Sequence, residues 1–100
     1  SFTPNVAGYY QINARADWNG SATGYVFLYL YKNGSSFKRG NYIGDNAAGI
    51  GTLISTLVYA NGTTDYFEVF GFQNSGSSMS VLGTANADQT WFQAFLARGA

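Results

Sequence analysis

The residues that could do chemistry are few, and their types narrow the choices. The chain has no histidine and no cysteine, which excludes Ser-His and Cys-His nucleophile systems. A serine–lysine system would need Lys32 or Lys38 desolvated beside a serine, and both lie in polar turn-like sequence. For glycoside hydrolysis two carboxylates must converge. Asp65 and Glu68 are three apart on one extended segment and point to opposite faces. Asp17 and Glu68 would meet only on neighbouring strands, and Arg15, which shares the parity of Asp17, offers an ion pair as the simpler arrangement. Asp45, Asp65 and Asp88 form no loop with calcium spacing. No catalytic residue, metal or cofactor is expected, although carboxylates brought together on a symmetry axis would escape notice in one sequence. What remains is recognition. Trp18, Tyr42 and Trp91 are rings on which a sugar could stack, with Asp45 and Asn46 near Tyr42 to bind hydroxyls. For Trp18 and Trp91 the competing role is packing in a core or interface, the usual fate of large rings.

These residues must be held by strands. In Gly8–Trp18, Tyr10, Ile12, Ala14, Ala16 and Trp18 fall on one parity, and Tyr9, Gln11, Asn13, Arg15 and Asp17 on the other. That alternation predicts a half-buried strand. Tyr25–Tyr31 is apolar on both parities and reads as a strand covered on both faces. Ser35–Gly49 is weakly patterned and reads as a long loop with a short strand near Tyr42–Ile43. Ile50–Ala60 and Tyr66–Phe72 alternate, followed by a short strand at Met79–Leu82 and a last one over Thr90–Ala97. Asn19-Gly20, Asn33-Gly34 and Asn61-Gly62 are turn signals. Each also fits the N-glycosylation pattern, but hairpin chemistry explains them more simply. About six short strands without a helix predict one all-β antiparallel sandwich or barrel spanning 1–100.

The composition suits binding. Among 100 residues, eight Tyr, eight Phe and two Trp stand beside only 10% charged residues with zero net charge. No basic stripe suggests nucleic acid. No apolar run is long enough to span a membrane as a helix, and SFTPNVAG does not read as a signal peptide. So many rings exceed what a small core hides, and Tyr66, Phe70, Phe72, Trp91 and Phe95 take the parity opposite to the expected core rows. The expectation is an aromatic outer face on one sheet that serves as a subunit interface.

Three ordered segments resemble the globular head of complement component 1q and the tumour-necrosis-factor-like jelly rolls. Phe2-x-Pro4 followed by Gly8-x-Tyr10-x-Ile12 is similar to that family's Gly-x-Tyr-x-Phe strand. Leu30-x-Lys32-Asn33-Gly34 and then Asp65-x-Phe67-x-Val69 are similar to its Gly-Asp-x-Val-x-Leu strand entry. Phe92-x-Ala94-x-Leu96 resembles its closing Phe-Ser-Gly-x-Leu strand. Pro4 lies one residue further from the glycine than in the family, and Thr64 and Ala94 replace glycines. The family's N-terminal strand pair has no counterpart before Phe2, so the resemblance implies a jelly roll shortened at its N-terminus, as the C-terminal fragment of a longer fibre protein or with another segment filling that edge, which unfilled would be open to pairing. It also implies a homotrimer with one sheet of each subunit at the threefold axis. VAGYYQI, LYKNG and the neutral Asn/Gly/Ser/Thr surface look most like the bacteriophage branch. That likeness implies a tail-fibre or virion head, assembled in the host cytoplasm. Its partners would be other virion proteins and a bacterial surface polysaccharide or receptor. The alternative is a purely structural trimerisation or capsid-decoration module without a ligand.

Overall fold

The computed structural model describes residues 1–19, 24–44, 50–74, 80–82 and 90–100. Its elements are all strands: β1 (Gly8–Asn19), β2 (Tyr25–Lys32), β3 (Ser35–Arg39), β4 (Ile43–Gly44), β5 (Ile50–Ala60), β6 (Phe67–Gln73), β7 (Ser80–Leu82) and β8 (Trp91–Gly99). They form two antiparallel sheets. In the first, β1 is central, with β5 along one edge and β8 and β7 sharing the other. In the second, β2 is central, with β6 along one edge and β3 and β4 sharing the other. The sheets face each other across one apolar layer, as in a β-sandwich.

The alternation of β1 is realised in space. Tyr10, Ile12, Ala14, Ala16 and Trp18 are all buried, and Val26, Leu28, Leu30 and Phe67 meet them from the second sheet. The register places Val58, Ile54 and Thr52 of β5 beside Tyr10, Ala14 and Ala16. At one end of the layer the Trp18 indole reaches across to the backbone of Gly71; a Cβ there would lie 2.7 Å from its ring. Trp18 Nε1 donates to Thr52 Oγ1 at 2.8 Å, and the Thr52 hydroxyl donates to the Ala16 carbonyl at 3.2 Å. Both buried polar groups are thereby satisfied, as burial requires.

The Asn-Gly signals are used in two ways. Asn33 (φ 55°) and Gly34 (φ 82°) both take positive φ, and they connect β2 to β3 as a two-residue hairpin loop of the type that matches strand twist. Asn61 instead folds its side chain back, its Oδ1 accepting from the backbone N–H groups of Thr63, Thr64 and Asp65. The two turns are tied together through Asp65, which accepts from Asn33 Nδ2 at 2.8 Å and from the Asn61 N–H at 3.0 Å, with Lys32 Nζ at 3.7 Å. Asn33 and Asn61 therefore act as turn residues with occupied side chains. Asn19-Gly20-Ser21 extends beyond the described residues.

One expectation changes. Ser35–Arg39 is a strand, not a loop, although all five of its residues are exposed; its hydrogen bonds to β2, not an apolar pattern, make it one. The two flanks of the sandwich also differ. On the β3/β4 side, Gly40 and Asn41 stitch the layers together. The Gly40 N–H donates to the Leu28 carbonyl at 2.8 Å, the Asn41 N–H to the Leu53 carbonyl at 3.0 Å, and the Leu53 N–H to Asn41 Oδ1 at 2.6 Å. A side chain at position 40 would collide with the Leu53 carbonyl, which explains the glycine. Among the described residues, the only link across to β6 on its far side is a bridge to Phe2.

The hydrogen bond from Asn33, more than the attraction of Lys32, holds the Asp65 carboxyl below its ordinary value of 3.8, while burial pulls the other way. A depressed folded-state pKa contributes stability above the unfolded value and loses it as pH falls through the folded one. Asp65→Asn is accordingly expected to lower the melting temperature near neutrality and to flatten the acid limb below about pH 4. Thermal scans of both proteins across that range check it, and parallel acid limbs would contradict it.

Candidate functional site

The second sheet carries a ring cluster on its outer face. In β2, Val26, Leu28 and Leu30 point inward, so Tyr25, Phe27, Tyr29 and Tyr31 point outward. The register of β6 sets Phe72 beside Phe27 and Phe70 beside Tyr29. β4 pairs Ile43 with Val26 and so brings Tyr42 to the Tyr25 end. The rings meet closely: Tyr25–Tyr42 centroids are 4.7 Å apart, Phe27–Phe72 4.8 Å with planes at 20°, and Tyr31–Phe70 4.8 Å edge to face. These spacings suit offset-stacked and T-shaped pairs.

Phe27 is only 3% exposed although it lies on an outer face. Its cover comes from its own sheet, from Phe72, Tyr25 and Tyr29, and from Arg39 of β3, whose guanidinium lies 4.8 Å from its ring centroid. Arg39 also donates to the Tyr29 hydroxyl at 3.4 Å. The expectation that β2 is covered on both faces is met only at Phe27; Tyr25, Tyr29 and Tyr31 of the same row are half-buried. Tyr42 (56%), Phe70 and Phe72 remain exposed around this centre. The face offers ring surface, the phenols of Tyr25, Tyr29, Tyr31 and Tyr42, and one cation already engaged. Chemically it suits apolar stacking against a neutral polyhydroxyl ligand.

The outer face of the first sheet is different. Three register rows cross it: Leu57–Gln11–Phe95, Ser55–Asn13–Gln93 and Leu53–Arg15–Trp91. The middle row is a hydrogen-bonded ladder. Asn13 Nδ2 donates to Gln93 Oε1 at 3.1 Å, the Ser55 hydroxyl to Asn13 Oδ1 at 2.7 Å, and Gln11 Nε2 to Asn13 Oδ1 at 2.9 Å and to Ser55 Oγ at 3.0 Å. Leu53, Leu57 (52%), Tyr59 and Phe95 (54%) are exposed around it. At one end Tyr9 packs on Tyr59 at 5.4 Å under the Arg98 guanidinium, 4.5 Å from its centroid. Monomeric proteins seldom leave so many large apolar side chains together in water.

The sequence-predicted residues divide accordingly. The five expected on one sheet separate: Phe70 and Phe72 lie on the second sheet, Trp91 and Phe95 on the first. β6 pairs with β2 and β8 with β1, so rings that each lie opposite their own strand's core row end on opposite sides of the molecule. Tyr66 precedes β6 and lies against the Asn33-Gly34 turn, its N–H donating to Asn33 Oδ1 at 3.0 Å. Trp18, 4% exposed, is a core ring and presents no free face to a ligand. Tyr42 joins the ring cluster. Asp45 and Asn46 lie outside the described residues. Asp17 pairs with Arg15 at 2.6 Å on the first sheet while Glu68 registers beside Tyr31 on the second, so these two carboxylates do not converge. Arg39, Tyr25 and Leu57 were missed. The apolar–aromatic run and the alternation of β5 contained the two rows, but only strand pairing says which way they face.

Compared with protein-family models, with curated proteins and with solved structures, the chain matches none. Fold and geometry define the class, an all-β two-sheet antiparallel sandwich with two dissimilar apolar outer faces.

Arg39 is the cover that the ring cluster depends on. Arg39→Ala should cost about 0.5–1 kcal/mol, the range for a cation over an exposed ring. Arg39→Lys should restore only part of this, because an ammonium lacks the planar stacking surface. Urea denaturation of the three proteins measures it, and equal midpoints would contradict it.

Proposed function

We propose that this chain is a non-enzymatic recognition head that works as a homotrimer on a phage tail fibre or virion. The outer face of the first sheet turns toward the threefold axis, and the ring cluster of the second sheet binds a glycan on the host surface. The observation that carries the reading is the presence of two different apolar outer faces on one small sandwich. One carries leucines and separate rings around an amide–hydroxyl ladder; the other is an aromatic pavement already packed against itself.

The physical division of labour follows from that difference. Leu53, Leu57, Tyr59 and Phe95 surround side chains whose hydrogen bonds are largely made within the sheet. Burying such a face against a copy gains the hydrophobic term at about 25 cal/mol per Å² and strands few polar groups. The phenols of the second face carry hydroxyls, so a sugar can use both ring and hydroxyl. The threefold count, the jelly-roll connectivity and the phage setting rest on the ordered likeness of the Gly8–Ile12, Leu30–Gly34, Asp65–Val69 and Phe92–Leu96 segments to complement 1q-type heads. The neutral Asn/Gly/Ser/Thr surface fits that setting.

Two experiments test the halves separately. Light scattering should give three subunits for the native protein, and Leu57→Asp, which sets a charge in the apolar rim, should reduce it to one while circular dichroism stays that of a sheet. A native monomer overturns the assembly. Binding to intact bacterial cells and to arrayed bacterial polysaccharides should fall about five- to twelve-fold in Tyr42→Ala, the loss expected when one stacking ring of roughly 1–1.5 kcal/mol is removed. An assembled protein that binds no cell and no glycan leaves the structural role, a trimerising or capsid-decorating module, as the correct reading.

A further inference from the structure

Among the described residues, no strand closes the flank opposite the Gly40–Asn41 stitch, and its geometry is specific. Between the edges of β6 and β8 run two adjoining clefts of about 390 and 360 Å³. Phe2, Val69 and Phe92 line the first; Trp18, Gly71 and Phe92 lie along the second. Phe92 and Leu96 belong to the inward-facing row of β8, registering with Ala14 and Tyr10, yet both are 43% exposed. Inward apolar side chains left partly in water mean that the described residues do not fully cover the layer at this margin.

Among the described residues, no strand pairs with the outer edge of β6 at Val69 or Gly71. Phe2 and Phe67 exchange both backbone hydrogen bonds at 2.9 Å in antiparallel sense. In an antiparallel ladder the groups that face one neighbour recur at every second residue. Those of Phe67 face Phe2, so those of Val69 and Gly71 face the same way, and no described strand takes them. The edge carries none of the usual protections, lysine, proline or a bulge, over Phe67–Gln73. Phe2 itself shows what this groove accepts: an extended backbone on the β6 edge with an apolar ring in the cleft, 6.0 Å from Tyr10 and 6.0 Å from Phe92.

We propose that this flank is a strand acceptor. It takes one extended polypeptide segment, uncharged and apolar at every second position, which lies antiparallel to β6, continues the ladder that Phe2 begins, and turns its apolar side chains onto Phe92 and Val69. Backbone hydrogen bonds supply the affinity and the cleft selects the alternating pattern. The occupant is a polypeptide strand, whereas the ring cluster of the second sheet takes a sugar, so the two sites fail or succeed independently.

The test uses amide hydrogen exchange in the intact protein. In dilute native protein the Val69 and Gly71 amides should exchange quickly while those of Glu68 and Phe70, which face β2, are protected. A segment of about six alternating Val and Thr residues, the length of an ordinary strand, is then fused directly ahead of Ser1. It should slow exchange at Val69 and Gly71 by at least about tenfold and raise the melting temperature; a Gly/Ser segment of equal length should do neither. Val69→Pro removes only an outward-facing N–H, a change that edge strands tolerate. In the Val/Thr fusion it should return Gly71 to fast exchange. Three results would overturn the proposal: equal exchange in the Val/Thr and Gly/Ser fusions, protection already present in the dilute native protein, or protection that grows with concentration without any fusion, which would assign the edge to a second copy. The comparison of the two fusions stands even if the proline variant does not fold.

Discussion

The packing of Trp18 onto Gly71 is the contact that the rest of the sandwich depends on. A strand offers one inward row, and the inward row of β1 tapers from Tyr10 and Ile12 through Ala14 and Ala16 before ending in a large indole. The two alanines let the layers approach, and the absence of a side chain at position 71 lets the indole reach the opposite backbone. The ring can lie there because its one polar group is bonded to Thr52, itself bonded back to β1. A buried N–H without that acceptor would cost about 1–3 kcal/mol, a large share of what a domain of this size has to spare.

With the interior fixed in this way, the rings that remain must face outward. β1 and β2 are each central in a sheet, so each has one inner and one outer row. The outer row of β2 is Tyr25, Phe27, Tyr29 and Tyr31, and its flanking strands add Tyr42, Phe70 and Phe72. The outer row of β1 is mostly polar, and its flanking strands add Leu53, Leu57, Trp91 and Phe95. The two outer faces thus acquire different characters, aromatic over an aromatic centre on one and mixed leucine and ring residues around a polar centre on the other. That contrast is what separates a surface suited to a ring-stacking ligand from one suited to a second copy.

The sequence made the rows legible and left their assembly open. Alternation identified the inner residues of β1, β6 and β8 and showed two rows in β5 without saying which faces inward, and Asn33-Gly34 marked the hairpin turn. It could not say which strand pairs with which, so Phe72 and Trp91, each opposite its own strand's core row, were expected on one face and lie on two. Ser35–Arg39 left no pattern because every side chain in it meets water; the hydrogen bonds to β2 that define it are a backbone property. Arg39 looked like one charge in a loop, and only the pairing with Tyr29 places it over Phe27. Tyr42 was legible as a ring in an irregular stretch, but its neighbours were not.

The central claim is that the two outer faces do different work, the first sheet meeting copies of itself and the second staying open. Hydroxyl-radical footprinting across a dilution series, read by mass spectrometry at single side chains, tests it most directly. The account predicts that Leu57 and Phe95 become protected as the protein is concentrated while Tyr42 and Phe72 remain reactive throughout. Protection of Tyr42 and Phe72 with Leu57 and Phe95 unchanged, or no change at any of the four, would contradict it.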